Sequence, residues 1–390
     1  MVRKYQLISA DGHVETPPEP WVAHVPARYR DRAPRLIHLP DDRGDAWLIE
    51  NQPMLYTGQN VTGPGPVKFA FASYTKADGT PSPGTGDGRQ RLREQDEDGI
   101  DAEVLFAPLF ATRFIEGIKD AEVYNAMVRA YNEWLAEEYC AVAPDRLIGN
   151  AYIPITGVDA AIAELEYAHS VGLRTVQFSQ FPNGTGTSKP EDDRFWERAL
   201  ELGIALSPHV IFGGDSSGVV QARTNPFAYP VAAGMSQHSG NQVPGYTLAQ
   251  MIVNGVFDRF PELRLYFAET NCAYIPGMLY YFDRDFTEYN DWFACSLKKL
   301  PSEYVYEHCK FGMVQEKVAV KMAAAGVMPL EWFMWGSDFP HSVGTFPRSY
   351  AYIADAFAGI AEETRRKILL ENAAEYYGLD LDAELTATPV

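Results

Sequence analysis

A strand-then-helix rhythm runs through almost the whole chain, and it constrains the fold more than any other feature. The apolar runs are YQLISAD (5–11), IDAEVLFAP (100–108), LIGNAYIPI (147–155), LRTVQFSQ (173–180), GIALSPHV (203–210), RLYFAET (264–270) and FMWGSDFPH (333–341). Between them lie stretches with apolar residues three and four apart, such as AEVYNAMVRAYNEWLAEEYCA (121–141) and DAAIAELEYAHSVG (159–172), the second opening on an Asp cap and ending on Gly. DRFWERALELG and TLAQMIVNGVFDRFP follow the same pattern. Such alternation means a parallel sheet with helices packed on it. Repeated this often in 390 residues that are 46% hydrophobic, it predicts one (β/α)8 barrel spanning 1–390 as a single domain. A doubly wound open sheet would place a Gly-rich phosphate turn after its first strand, and SADGHVE is not such a turn.

Two regions break the rhythm. An insertion at about 35–90 reads first as a β-hairpin (about 35–75), then as a mobile Gly/Pro-rich loop, YTKADGTPSPGTGDG. A long irregular connection covers about 211–246, after the fifth run. Long loops on the C-terminal face of a barrel form lids and substrate walls.

The runs end on chemistry. The first ends on Asp11 and His13, the fifth on His209, the sixth on Glu269, and the last on Asp338 with His341 three residues on. A barrel gathers those ends on one rim. Carboxylates crowded there repel and raise one another's pKa unless a cation joins them. Imidazole with carboxylate suits zinc, iron or manganese. Singly, each residue also has an ordinary structural explanation: a cap for Asp338, an Arg partner for Glu269, a buried hydrogen bond for His209. His238 and His341 end no apolar run and join the set as further nitrogen donors, whereas His24, His38, His169 and His308 read as structural.

Charge and composition exclude other classes. A formal net charge of −19 argues against nucleic acid. No run of about 18 apolar residues offers a membrane span. The N-terminal MVRKYQLISADG lacks an apolar leader core, and Cys140, Cys272, Cys295 and Cys309 show no paired spacing, so reduced thiols and a cytoplasmic location are expected.

The stretches ISADGHVE, SPHV, NGVFDRFPELRLYFAET, YIPGMLYYFD and MWGSDFPHS together resemble the amidohydrolase-related group that includes aminocarboxymuconate semialdehyde decarboxylase. AYNEWLAEEYCAVAPDRLIGNAYIPI and KILLENAAEYYGL extend the likeness nearly end to end. The resemblance implies a metal-dependent barrel in which Asp11, His13, His209 and Asp338 match the metal ligands. Two departures stand out: Asp11 replaces the first His of an HxH motif, and Glu269 stands where the group carries a His that works on substrate or water.

Those exchanges give a site richer in oxygen. More narrowly, the chain is similar to the non-haem di-iron monooxygenases of platensimycin-type diterpenoid biosynthesis. That likeness implies two iron ions, O₂, an external electron donor and a bulky hydrophobic, CoA-linked substrate. Asp11, His13, His209, Glu269, Asp338, His238 and His341 would be the metal set, with Glu269, His209 and Asp338 catalytic. Tyr274, Tyr280, Tyr281 and Phe282 would line an apolar pocket, and Arg113, Lys189 and Arg223 would meet an anionic carrier. The alternative is a zinc or manganese hydrolase or non-oxidative decarboxylase, with Glu269 as general base. A homodimer is the assembly carried forward.

Overall fold

The computed structural model describes residues 3–38, 44–49, 52–54, 73–108, 115, 117–209, 212–213, 244–293, 295–341 and 343–388. Eight parallel strands form one sheet: β1 (Ile8–His13), β5 (Ala102–Phe106), β6 (Leu147–Tyr152), β7 (Thr175–Gln177), β8 (Ala205–Leu206), β9 (Leu265–Phe267), β10 (Cys309–Met313) and β11 (Phe333–Trp335), in that order. Helices follow the strands, as the rhythm requires. The (β/α)8 expectation holds. The insertion forms a separate antiparallel sheet of β2 (Arg35–His38), β3 (Asp45–Ile49) and β4 (Gln52–Met54), a third strand beyond the hairpin expected.

Alternation along a strand sets the layers. In β5, Ala102, Val104 and Phe106 pack in a cluster with Ile8, Ala10, Tyr266 and Met334. Leu105, on the opposite face, packs with Tyr124 and Met127 of the helix Ala121–Trp134. β10 escaped the sequence reading. CKFGM is five residues long, carries Lys310 and Gly312, and follows the helix Pro301–His308 without a turn signal. Gly312 is there for space: a Cβ would sit 2.5 Å from the Tyr266 hydroxyl and 2.9 Å from the Glu269 nitrogen.

The barrel closes between β1 and β11. The seam carries an isolated parallel bridge from Gly12 to Phe339, with His13 N donating to Phe339 O (2.7 Å) and Asp338 N to Asp11 O (2.9 Å). The backbones come so close that a Cβ on Gly336 would meet the Asp11 Cβ at 2.4 Å.

Three local expectations change. The helix Val158–Ser170 has Gly157 at its N-cap with no side-chain cap, and Asp159 lies inside the first turn. TLAQMIVNGVFDRFP is two helices, Gly245–Val253 and Val256–Arg259, parted at Gly255, whose φ is +65°. Within the stretch read as a mobile loop, residues 75–81 are exposed, but the part from Ser82 to Gly86 is packed. Ser82 Oγ donates to Ser73 O, Thr85 Oγ1 to Tyr74 O, and Gly84 N to Glu94 Oε1. The 211–246 connection lies almost entirely outside the described residues. Among the described residues, no helix is long and apolar enough to cross a membrane.

Asp98, the last residue of the helix Gly88–Asp98, accepts from the backbone N–H (2.9 Å) and hydroxyl (2.5 Å) of Ser349 and so ties down the helix Ser349–Ala356. Burial lifts its pKa to about 6, with Glu103 and Glu97 adding to the rise against the two Ser349 bonds. An acid whose pKa rises on folding opposes the fold once ionised. The penalty is complete above about pH 6 and fades as pH falls toward the unfolded value near 4. Asp98→Asn removes it. Urea unfolding should therefore show the variant gaining on wild type by about 2 kcal/mol more at pH 8 than at pH 4. Equal differences at the two pH values would refute this.

Candidate metal centre

β1 carries Asp11 and His13 to the C-terminal rim, and the chain just beyond β8, β9 and β11 carries His209, Glu269 and Asp338. All five are buried, as is His341. Glu269 and Asp338 both have φ of +54°, a left-handed conformation that costs a non-glycine residue roughly 1–3 kcal/mol and persists where the surroundings impose it.

The donor atoms crowd one another. His13 Nε2 lies 3.6 Å from Asp11 Oδ1 and 3.4 Å from Asp338 Oδ1. His209 Nε2 lies 3.6 Å from Asp11 Oδ1 and 3.7 Å from Glu269 Oε2. Neighbouring ligands of one first-row ion, each bound at about 2.0–2.3 Å, stand roughly 3.0–3.7 Å apart. Asp11, His13 and His209 each bring one donor atom within 4.8 Å of the others, and so do His13, Glu269, Asp338 and His341.

The orphaned atoms provide an independent test of fit. Among the described residues, neither oxygen of Asp11, neither oxygen of Asp338, neither ring nitrogen of His209 and not Nε2 of His13 finds a hydrogen-bond partner. Buried polar groups left this way are costly, and a cation shared among them removes the cost. His13 Nδ1 lies 3.2 Å from Ala107 O. Donation to that carbonyl assigns the proton to Nδ1 and leaves the Nε2 lone pair facing the cluster.

Electrostatics agrees. Burial, reinforced by Glu269, pushes Asp11 up against the pull of His209. Burial raises Asp338 to about 7, with Glu269 and Asp11 adding to it and His341 opposing. Burial drives His13 well below its usual value, and the His341 and His209 rings push it further. Burial also lowers His209 and His341, but carboxylates outweigh it in both: Asp11 chiefly for His209, Asp338 then Glu15 for His341.

Glu15 was missed, although ISADGHVE contains it: Asp11, His13 and Glu15 are two apart and extend along one face of the strand exit. Glu15 is 2% exposed, and its Oε1 is 3.5 Å from His341 Nε2. His341 stacks on His13 with centroids 3.9 Å apart and reaches Asp338 Oδ1 with Nδ1 at 2.8 Å, an ion-pair distance without hydrogen-bond direction. His238, Arg113 and Arg223 lie outside the described residues. Tyr280 and Tyr281 are exposed on the helix Ile275–Phe293, and Lys189 is exposed, so none of the three lines this cluster. His24, His38 and His308 have structural partners: Glu133 and Glu138, Asp45, and Leu263 O.

A closed parallel barrel with imidazoles and carboxylates gathered on one rim defines a class, the barrels whose rim can hold a divalent metal. Within it, the amidohydrolase family profile matches residues 23–379, and this chain belongs to that family. It is 24% identical over 293 residues to 2-amino-3-carboxymuconate-6-semialdehyde decarboxylase of Dictyostelium discoideum, covering 74% of this chain and 76% of the relative. It is 26% identical over 309 residues to gamma-resorcylate decarboxylase of Rhodococcus jostii, covering 74% and 87%. Among solved structures, an amidohydrolase from Mycobacterium avium subsp. paratuberculosis superposes with a TM-score of 0.72 at 20% identity, over 96% of this chain and all of that one. A 5-carboxyvanillate decarboxylase from Novosphingobium aromaticivorans, complexed with manganese, gives 0.65 at 16% identity over 96% of each chain.

These findings correct the oxygen-activating expectation. The relatives are decarboxylases, and neither a non-haem di-iron monooxygenase nor a pair of iron ions is supported. The two imidazole-to-carboxylate exchanges at Asp11 and Glu269 drew the sequence reading toward oxygen-rich iron chemistry. Carboxylate content alone does not discriminate, because manganese and zinc sites accept the same donors.

Proposed function

We propose that this chain is a divalent-metal-dependent, non-oxidative decarboxylase of an unsaturated or aromatic carboxylate. The observation that carries the reading is the set of buried, hydrogen-bond-free donor atoms on Asp11, His13, His209 and Asp338 at ligand-to-ligand spacing. Those four residues would hold the ion, and manganese is the first candidate because a structural neighbour of the family carries it. When bound, the ion supplies positive charge that binds and orients an anionic substrate. The substrate names of the relatives share a carboxylate on an unsaturated skeleton, which sets the proposed class.

The chain's own groups do the rest. His13 keeps its proton on Nδ1 against Ala107 O, so its Nε2 remains a donor. Phe106 lies 5.1 Å from the His209 ring and 5.9 Å from the His13 ring, an apolar wall that limits water. In the reaction the bond from the unsaturated skeleton carbon to the carboxyl carbon breaks, CO₂ leaves, and the electron pair stays on the skeleton carbon. A proton then takes the vacated position, so no oxidant or electron donor is required. Glu269, beside His209, is the proposed group that moves this proton.

The test uses protein stripped of metal and reloaded with manganese. It is incubated in D₂O with hydroxybenzoate carboxylates, 5-carboxyvanillate among them, and with a lactone. Metal-dependent CO₂ release with one deuterium in the product is the expected result. Lactone opening with no CO₂ from any carboxylate would replace decarboxylation by hydrolysis.

A further inference from the structure

The barrel seam, where β1 meets the chain after β11, carries Asp11, His13 and Asp338. The register of β1 against β5 slips between Ser9 and Gly12, and on its other side β1 meets the chain after β11 at the Gly12–Phe339 bridge. Left-handed Asp338 and the strand irregularity before Gly12 leave room for contacts from outside the ladder. Ser9 Oγ, which accepts from Ser337 N (2.9 Å), crosses this seam, and so does the longer side chain of Arg91. Arg91, from the helix Gly88–Asp98, is 1% exposed. Its Nη1 donates to His13 O (3.0 Å) and its Nη2 to Phe339 O (3.0 Å). These carbonyls belong to a proposed ligand and to the residue after another.

The guanidinium is itself aimed. Nε and Nη2 donate to the two oxygens of Glu103 at 2.7 and 3.2 Å, and Gln95 Nε2 (2.9 Å) and Ser337 Oγ (3.2 Å) hold that carboxylate. The Phe339 ring lies over the guanidinium carbon at 4.4 Å. Gly12 leaves room for it, since a Cβ there would come within 2.7 Å of Nη2. A planar fork with several fixed donors can grip two carbonyls and a carboxylate together. A lysine ammonium, a compact point charge on a flexible stem, does not reproduce that geometry.

We infer that Arg91 is a positioning residue for the metal centre, clamping the His13 and Phe339 carbonyls across the seam so that His13 and Asp338 face one ion. The inference rests on the divalent-metal reading above. A purely structural arginine would lower stability without altering affinity, so affinity is the deciding measurement.

Manganese affinity is measured on metal-free protein by chelator competition, together with the electron paramagnetic resonance spectrum of bound Mn²⁺ and the metal-free Tm. Wild-type protein that binds no manganese removes the metal reading itself, before any variant is compared. Given wild-type binding, Arg91→Lys should fold, weaken affinity about 10–100-fold and broaden the spectrum. Glu103→Gln, which keeps the guanidinium but loosens its aim, should lose less. A lowered Tm with wild-type affinity and spectrum overturns the proposal. If Arg91→Lys does not fold, Glu103→Gln decides: unchanged affinity and spectrum overturn the proposal, and a weakened affinity upholds it.

Discussion

Asp338→Asn is expected to yield a folded barrel whose hold on manganese falls by at least about 100-fold, with turnover lost in parallel. Asp338 is fully buried, neither of its oxygens has a hydrogen-bond partner among the described residues, and one lies 3.4 Å from His13 Nε2. Its φ of +54° matters to the choice of variant. Asparagine tolerates the left-handed region better than most residues, so the turn survives and only the charge is removed. In the metal-free variant, relief of the repulsion from Glu269 and Asp11 offsets the lost contact with His341, so its Tm should stay close to that of wild type. Metal content after dialysis, chelator competition and a thermal scan together decide it. Undiminished manganese binding would remove Asp338 from the ligand set.

Glu269→Gln is expected to keep the metal and lose about 10²–10⁴ in kcat. The amide occupies the same volume beside His209 and can still accept a hydrogen bond, but it cannot exchange a proton. Glu269 sits 3.7 Å from His209 Nε2, and its φ equals that of Asp338, so two left-handed carboxylates stand at the ends of β9 and β11. If the variant instead loses manganese in proportion to its activity, Glu269 is a ligand and the proton must come from another group. Deuterium incorporation from D₂O provides a second readout, since product formation limited by protonation shows a larger solvent isotope effect in the variant.

The barrel was legible in this chain because burial makes periodicity: a strand covered on both faces must be apolar, and a helix lying on it must be apolar every three or four residues. Asp11, His13, His209, Glu269 and Asp338 were legible for a related reason. A charge at the end of an apolar run stands where the fold places rims, and these five do meet on one rim. Glu15 obeyed the same alternation and was passed over because it follows Val14 outside the apolar run. His341 acquires its meaning from stacking on His13, 328 positions earlier in the chain. Arg91, Glu103, Ser9 and Ser337 form their network across the closing seam, and nothing in their local sequences pairs them. Period and polarity are local properties, so the sequence alone determined the barrel and the polar residues that stand at its strand ends. Which ends come within ligand distance of one another, which carbonyls one guanidinium spans and which carboxylates are forced left-handed depend on closing the sheet, and only the tertiary structure decided them.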